Sequence, residues 1–177
     1  MGSGIGGGLI IDGEIYRGCG RGAAEIGHLR VHHSDRMVPL ERVASGWGMQ
    51  QQAEFACMGA DCRILEQLAG EGPVTAALIA RAAREGDEAA TAVLAAAREA
   101  LAEGICHVLA LLCPRRLVIG GGVSLMGESV LFEPLRRMVA ERVFKPFAGC
   151  YDIVPAALGE EVVVHGALAL ARKRLSE

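Results

Sequence analysis

Across residues 87–113 apolar side chains recur at Ala89, Val93, Ala96, Ala97, Ala100, Leu101, Ile105, Val108, Leu109 and Leu112, with Glu88, Arg98, Glu99 and Glu103 between them. That spacing is the 3.6-residue period of a helix with one apolar stripe, and Pro114 ends it by removing an N–H. Ala89, Ala92, Ala96, Ala100 and Gly104 are small enough to let another element approach closely. His107, alone on this segment, reads as a satisfied or half-exposed side chain. Further helices are predicted over 40–69 with an interruption near Gly59, 74–85, 128–143 and 161–175. Short β-branched runs predict strands at 8–11, 14–16, 24–31, 116–119 and 152–156. Three strands, helices, a strand, a helix, a strand and a final helix describe an α/β protein, an order shared by several folds.

Two glycine clusters punctuate this pattern. The first, Gly2-Ser3-Gly4-Ile5-Gly6-Gly7-Gly8, runs straight into the apolar Leu9-Ile10-Ile11. Glycines this dense let backbone N–H groups approach an anion, and the Ser3 hydroxyl adds a donor; a glycine-rich hairpin entrance is the alternative. The second, Gly120-Gly121-Gly122-Val123, closes the predicted strand 116–119 before a helix, which is where α/β folds hold ligands. Two such loops in one small domain suggest one nucleotide held at both ends.

Composition narrows the class. The chain has 177 residues, 51% hydrophobic and 22% charged, enough for one domain with a substantial core. A net charge of −3 with scattered basic residues gives no electrostatic footprint for nucleic acid through this segment. Apolar runs fall short of the ~20 residues of a membrane helix and no signal-like N-terminus is present, so a cytoplasmic location is expected. Six cysteines, at 19, 57, 62, 106, 113 and 150, lack CxxC spacing and read as buried small hydrophobes. Cys106 and Cys113, seven apart, share a helix face.

Polar residues gather around the glycines. In Glu25-Ile26-Gly27-His28 a carboxylate and an imidazole flank a glycine, and Glu41 precedes Val43-Ala44-Ser45-Gly46. Carboxylates suit a polyhydroxylated ligand because each accepts charge-assisted hydrogen bonds worth roughly 1.5–3 kcal/mol; a salt bridge or strand-end cap is the competing reading.

The order of these segments, with Leu158-Gly159 and Gly166-Ala167-Leu168 near the end, resembles the ROK family of sugar kinases and sugar-responsive repressors. The resemblance covers essentially the whole chain as a single C-terminal domain, 1–177. It implies a ribonuclease-H-like, actin/hexokinase-type ATPase fold, a central mixed sheet flanked by helices, and a dimer through this domain. It implies that Gly2, Ser3, Gly4, Gly6, Gly120, Gly121, Gly122 and Val123 contact ATP, used with Mg²⁺, and that Glu25, His28 and Glu41 contact sugar hydroxyls. Family members carry an N-terminal lobe with a further phosphate loop and the catalytic Asp, which is absent from this chain. No catalytic base is evident here: Asp12 reads as a turn residue, and Asp35 and Asp61 lie in polar segments.

Many family members also carry a cysteine loop that binds zinc with the motif histidine. The corresponding stretch, 29–40, has no cysteine. His28, His32, His33 and Asp35 are the only alternative donors there, and adjacent strand residues diverge, so no metal is expected. Two functions remain: half of an ATP-dependent sugar kinase, inactive alone, or the ligand-sensing domain of a regulator whose DNA-binding helices lie outside these residues.

Overall fold

The computed structural model describes residues 1–20 and 22–176, with backbone only for Glu160 and Ser176. Strands β1 (Leu9–Ile11) and β2 (Glu14–Tyr16) form a hairpin whose two-residue turn, Asp12-Gly13, has φ of +52° and +80°. Asp-Gly suits such a turn because both central residues need left-handed backbone. A second hairpin pairs β3 (Arg30–His33) with β4 (Arg36–Pro39) across Ser34-Asp35, at φ +46° and +61°. Helices α1 (Glu41–Ala44), α2 (Gly46–Ala56), α3 (Arg63–Ala69), α4 (Ala76–Arg84) and α5 (Glu88–Leu112) follow in succession. Then β5 (Arg116–Ile119), α6 (Glu133–Arg142), β6 (Asp152–Pro155) and α7 (Val162–Ser176) complete the order.

The 25-residue α5 is the axis of the core. Its alanines, Ala89, Ala90, Ala97, Ala100 and Ala102, are buried, and α1, α2, α4, α6 and β3 pack around it. A Cβ on Gly104 would stand 2.9 Å from Leu40 Cδ2, so the glycine is what admits the Leu40 side chain. Asp87 caps the helix from a buried position, accepting from Ala90 N at 2.9 Å while its other oxygen takes Leu65 N of α3 at 2.9 Å. Cys113 ends α5 in left-handed backbone at φ +41°, and Pro114 follows.

The strands form three two-stranded pieces, with β5 and β6 parallel, where one central mixed sheet was expected. An Arg116–Asp152 fork, with Nη2–Oδ2 2.7 Å and Nε–Oδ1 2.9 Å, locks the first register pair of β5 and β6. Other boundaries also moved. The predicted strand 24–31 is a single 3₁₀ turn, Ile26–His28, leading into β3, and β4 was not anticipated. The predicted helix 40–69 is three helices, broken at Ser45 and again over 57–62. The segment 128–143 opens as one π-helical turn, Glu128–Phe132, before α6. Among the cysteines Cys62 alone is buried; Cys57 and Cys106 are half-buried, and Cys19, Cys113 and Cys150 are exposed, all as free thiols.

Candidate functional site

The first residues lie against the second glycine loop. The Met1 amino group donates to Gly120 O at 2.6 Å, and Val123 N donates back to Met1 O at 3.2 Å. On the other side, Gly46 N donates to Gly2 O at 2.7 Å and Trp47 N to Ser3 O at 3.4 Å. Gly48 N, next along α2, donates to Ser45 Oγ at 3.0 Å. The first turn of α2 is therefore capped by its own chain, and its N-terminus is closed to an anion. The two glycine loops predicted from sequence do meet, and they meet through main-chain hydrogen bonds.

Within the loops the glycines divide by what a side chain would strike. At Gly121, held at φ +87°, a Cβ would stand 2.5 Å from Met1 O, and at Gly120 it would stand 2.9 Å from Ala156 Cβ. At Gly4 it would meet Glu41 Oε2 at 3.2 Å. These three serve close packing of the chain on itself. Gly2, Gly6 and Gly122 face open space, where a Cβ would have nothing described within 4 Å. Ser3 is exposed, whereas Val123 is buried in the core with its N–H already given to Met1.

Ile5, a buried residue between glycines, meets Glu41 and the turn that carries Glu25 and His28. Ile5 N approaches Glu41 Oε2 at 3.5 Å, and a Cβ on Gly27 would stand 2.1 Å from Ile5 O. That contact explains why 24–31 is not a strand. Gly27 has to sit directly on the Ile5 backbone, and the chain turns there, with Ile26 N bonded to Ala24 O at 2.7 Å and Ala24 at φ +66°. Glu25 and His28 emerge exposed at either end of the turn, and Glu41 is half-buried at the start of α1. The structure thus sets Glu41, and the turn that carries Glu25 and His28 at its two ends, beside the first glycine loop.

The remaining polar candidates are placed elsewhere. His32 Nδ1 pairs with Glu103 Oε1 at 2.9 Å, and its N–H donates to Glu103 Oε2 at 2.9 Å. Burial raises the Glu103 carboxyl, but these His32 contacts outweigh it and hold the group below its usual range. His33 faces a shallow cleft lined also by Arg42, Gln51, Gln52 and Phe55. His32 and His33 therefore turn to different neighbours. Asp12 and Asp35 sit in hairpin turns, Asp61 forks onto Arg63, Asp87 is a buried cap, and Asp152 forks onto Arg116. All five aspartates of the chain are thereby accounted for, none of them at the glycine loops. Trp47 is a residue the sequence reading passed over: half exposed, it borders the loop through its bond to Ser3. Its position directly after Ser45-Gly46 is the signal that was available.

The α/β arrangement is that of the actin/hexokinase-type kinases. It superimposes on a ROK family glucokinase from Streptomyces griseus, solved with glucose and AMPPNP, at a TM-score of 0.84 and 27% identity, covering 98% of this chain and 59% of that one. The chain belongs to the ROK family, whose profile matches residues 1–174. It is 30% identical to a glucokinase of Thermotoga maritima over 99% of its own length and 57% of that protein's. It is 26% identical to a xylose repressor of Caldicellulosiruptor bescii, over 96% and 44% respectively. The chain spans about half the length of the relatives it matches.

Proposed function

We propose that these residues form the nucleotide- and sugar-binding half of a ROK-type, ATP-dependent sugar kinase. The observation that carries the reading is the clustering of both glycine loops with Glu25, His28 and Glu41 on one part of the molecule. Open main chain at Gly2, Gly6 and Gly122 suits the close approach of a phosphorylated nucleotide, and Ser3 adds a hydroxyl donor. Glu25 and Glu41 accept from sugar hydroxyls, and His28 donates or accepts at their edge. Mg²⁺ bound with ATP would neutralise phosphate charge, and no aspartate of this chain borders the glycine loops to hold it. Phosphoryl transfer rests on positioning and electrostatics, together with a base within hydrogen-bond reach of the attacking hydroxyl. No aspartate lies at the glycine loops, so we infer that residues 1–177 bind without transferring phosphate. The reading implies a cytoplasmic protein, where ATP and sugars meet, that dimerises through this domain.

The test is a coupled ADP-release assay with glucose, N-acetylglucosamine and N-acetylmannosamine. Residues 1–177 should give no turnover, and a longer protein carrying a ROK N-terminal lobe should give turnover. In that longer protein Glu25→Ala or His28→Ala should raise the sugar concentration needed by about tenfold or more, the loss of one charge-assisted hydrogen bond. Turnover by the 177 residues alone would refute the inactivity. Light scattering should find a dimer. The match to a xylose repressor supports a second reading, a sugar-sensing domain; sugar binding without nucleotide binding would select it.

A further inference from the structure

We propose that Cys57, Cys62 and Glu66 form a binding site for a thiophilic divalent cation of the Zn²⁺ class, at the corner between α2 and α3. The two thiol sulfurs and a carboxylate oxygen lie within 4.8 Å of one another. Bonds of roughly 2.0–2.3 Å to oxygen and sulfur set the ligand atoms of a tetrahedral ion roughly 3.3–3.8 Å apart, so these donors reach an ion by small side-chain rotations. The donors come from three fixed points. Cys57 is the residue after α2, Cys62 the residue before α3, and Glu66 stands one turn further along α3, four residues on and hence on the same face. The corner between them is held by other bonds. Gly59 N and Ala60 N donate to Ala56 O at 3.0 and 2.9 Å, Ala89 N donates to Asp61 O at 3.4 Å, and Asp87 Oδ2 grips Leu65 N. Asp61 is turned away onto Arg63, with Nη2–Oδ2 2.7 Å, which leaves Glu66 as the carboxylate that faces the sulfurs.

Cys62 is buried, Cys57 half-buried and Glu66 exposed, so the site has a dry sulfur side and a wet carboxylate side. A water from the wet side completes four-coordination. Binding removes one proton from each thiol, two per ion released to solvent, and leaves two thiolates and a carboxylate around a 2+ charge, a net of about −1 on the site. This is a structural staple in character: it ties the end of α2 to the start of α3, at the opposite end of α2 from the glycine loops. It shares no residue with the stretch 29–40, for which no metal was expected.

The experiment uses the untagged chain, reduced, stripped with chelator and exchanged into chelator-free buffer. Cobalt(II) is then titrated in and the absorption spectrum recorded, followed by displacement with Zn²⁺. The expected result is one equivalent of Co²⁺ bound, with a sulfur-to-cobalt charge-transfer band in the near ultraviolet and the strong visible bands of a tetrahedral ion, all lost when Zn²⁺ replaces it. Cys57→Ser, which leaves one of the two sulfurs, should cut the charge-transfer band by about half or more, and Glu66→Gln, at an exposed position that leaves the fold intact, should weaken Zn²⁺ by about tenfold or more. Thermal unfolding should move upward with Zn²⁺ in the wild type and stay put in Cys57→Ser. A charge-transfer band of wild-type intensity in Cys57→Ser would assign the metal to the exposed cysteines and overturn the site. So would an absent band with six titratable thiols present, or a Cys57–Cys62 disulfide in freshly isolated protein.

Discussion

Adding one methyl group at Gly27 tests whether the turn Ile26–His28 is shaped by contact with Ile5. Gly27 is not in left-handed backbone, so alanine there brings no φ strain, and its whole effect comes from space. The new Cβ would stand 2.1 Å from Ile5 O and 3.1 Å from Ile5 C, against main chain that cannot rotate away as a side chain would. Overpacking of this kind costs about 1–3 kcal/mol, and the lost freedom of the unfolded glycine returns about 0.4–1 kcal/mol. The severity of the overlap places the net cost near ~2 kcal/mol, which for a domain of this size lowers Tm by about 4–8 °C. Gly6→Ala is the matched control. With nothing described within 4 Å of its Cβ and no positive φ, only the unfolded-state gain remains, a rise of about 1–4 °C. Thermal unfolding followed by circular dichroism reads both. A Gly27→Ala protein as stable as Gly6→Ala would show that Gly27 and Ile5 are not in contact, and with it would go the placement of Glu25 and His28 beside the first glycine loop.

Gly121→Val combines a contact of 2.5 Å to Met1 O with a β-branched residue at φ +87°, and should cost about 2–5 kcal/mol of stability and eliminate the ADP heat in calorimetry. Gly122→Val, in open space, should keep wild-type Tm and still weaken ADP; undiminished ADP affinity there would remove that glycine from the nucleotide site. Asp87→Ala deletes the α5 cap and orphans Leu65 N, and a loss of about 2–4 kcal/mol is expected in urea unfolding, where a change under about 1 kcal/mol would contradict the double role. The Arg116 guanidinium holds the Asp152 carboxyl below its usual range, so its stabilisation is complete above the unfolded value of about 3.9 and fades as pH falls through the lower folded value. The Tm of Asp152→Asn should accordingly fall less than wild type between about pH 5 and pH 2, and parallel curves would reject the coupling.

Local pattern was enough for the elements whose causes are local. The period of α5, its Asp87 cap and Pro114 fixed that helix to within a residue at each end, and β2 and β5 match their predicted spans. Prediction failed where a distant segment decides. Nothing near Ala24 announces that Gly27 has to rest on Ile5, and nothing near Ser45 announces that Gly46 N is to be capped by Gly2 O. The Ser34-Asp35 turn could have been seen, since a two-residue polar turn between Val31 and Val38 is a hairpin signal. Among the candidate site residues, Gly121 carries a signal for packing that reads the same as a signal for ligand, because close approach to a phosphate and close approach to Met1 both demand bare main chain.

Among the described residues, the ribbon made by β1 and β2 has only its own two members as strand partners, so each three-residue strand has one edge without a strand partner. Ile10 is 60% exposed and Tyr16 51%, with Ile11 and Ile15 also at the surface, and the β5–β6 pair adds Val118 at 60%. Bare edges beside apolar side chains are templates on which a stranger's strand can dock, the opening step of amyloid-like growth. Preparations of these residues should therefore turn thioflavin-positive on prolonged warming at high concentration, starting from the ribbon. A lysine at Ile10 is the gatekeeper that would delay it, and its site lies outside every contact that holds the glycine loops together.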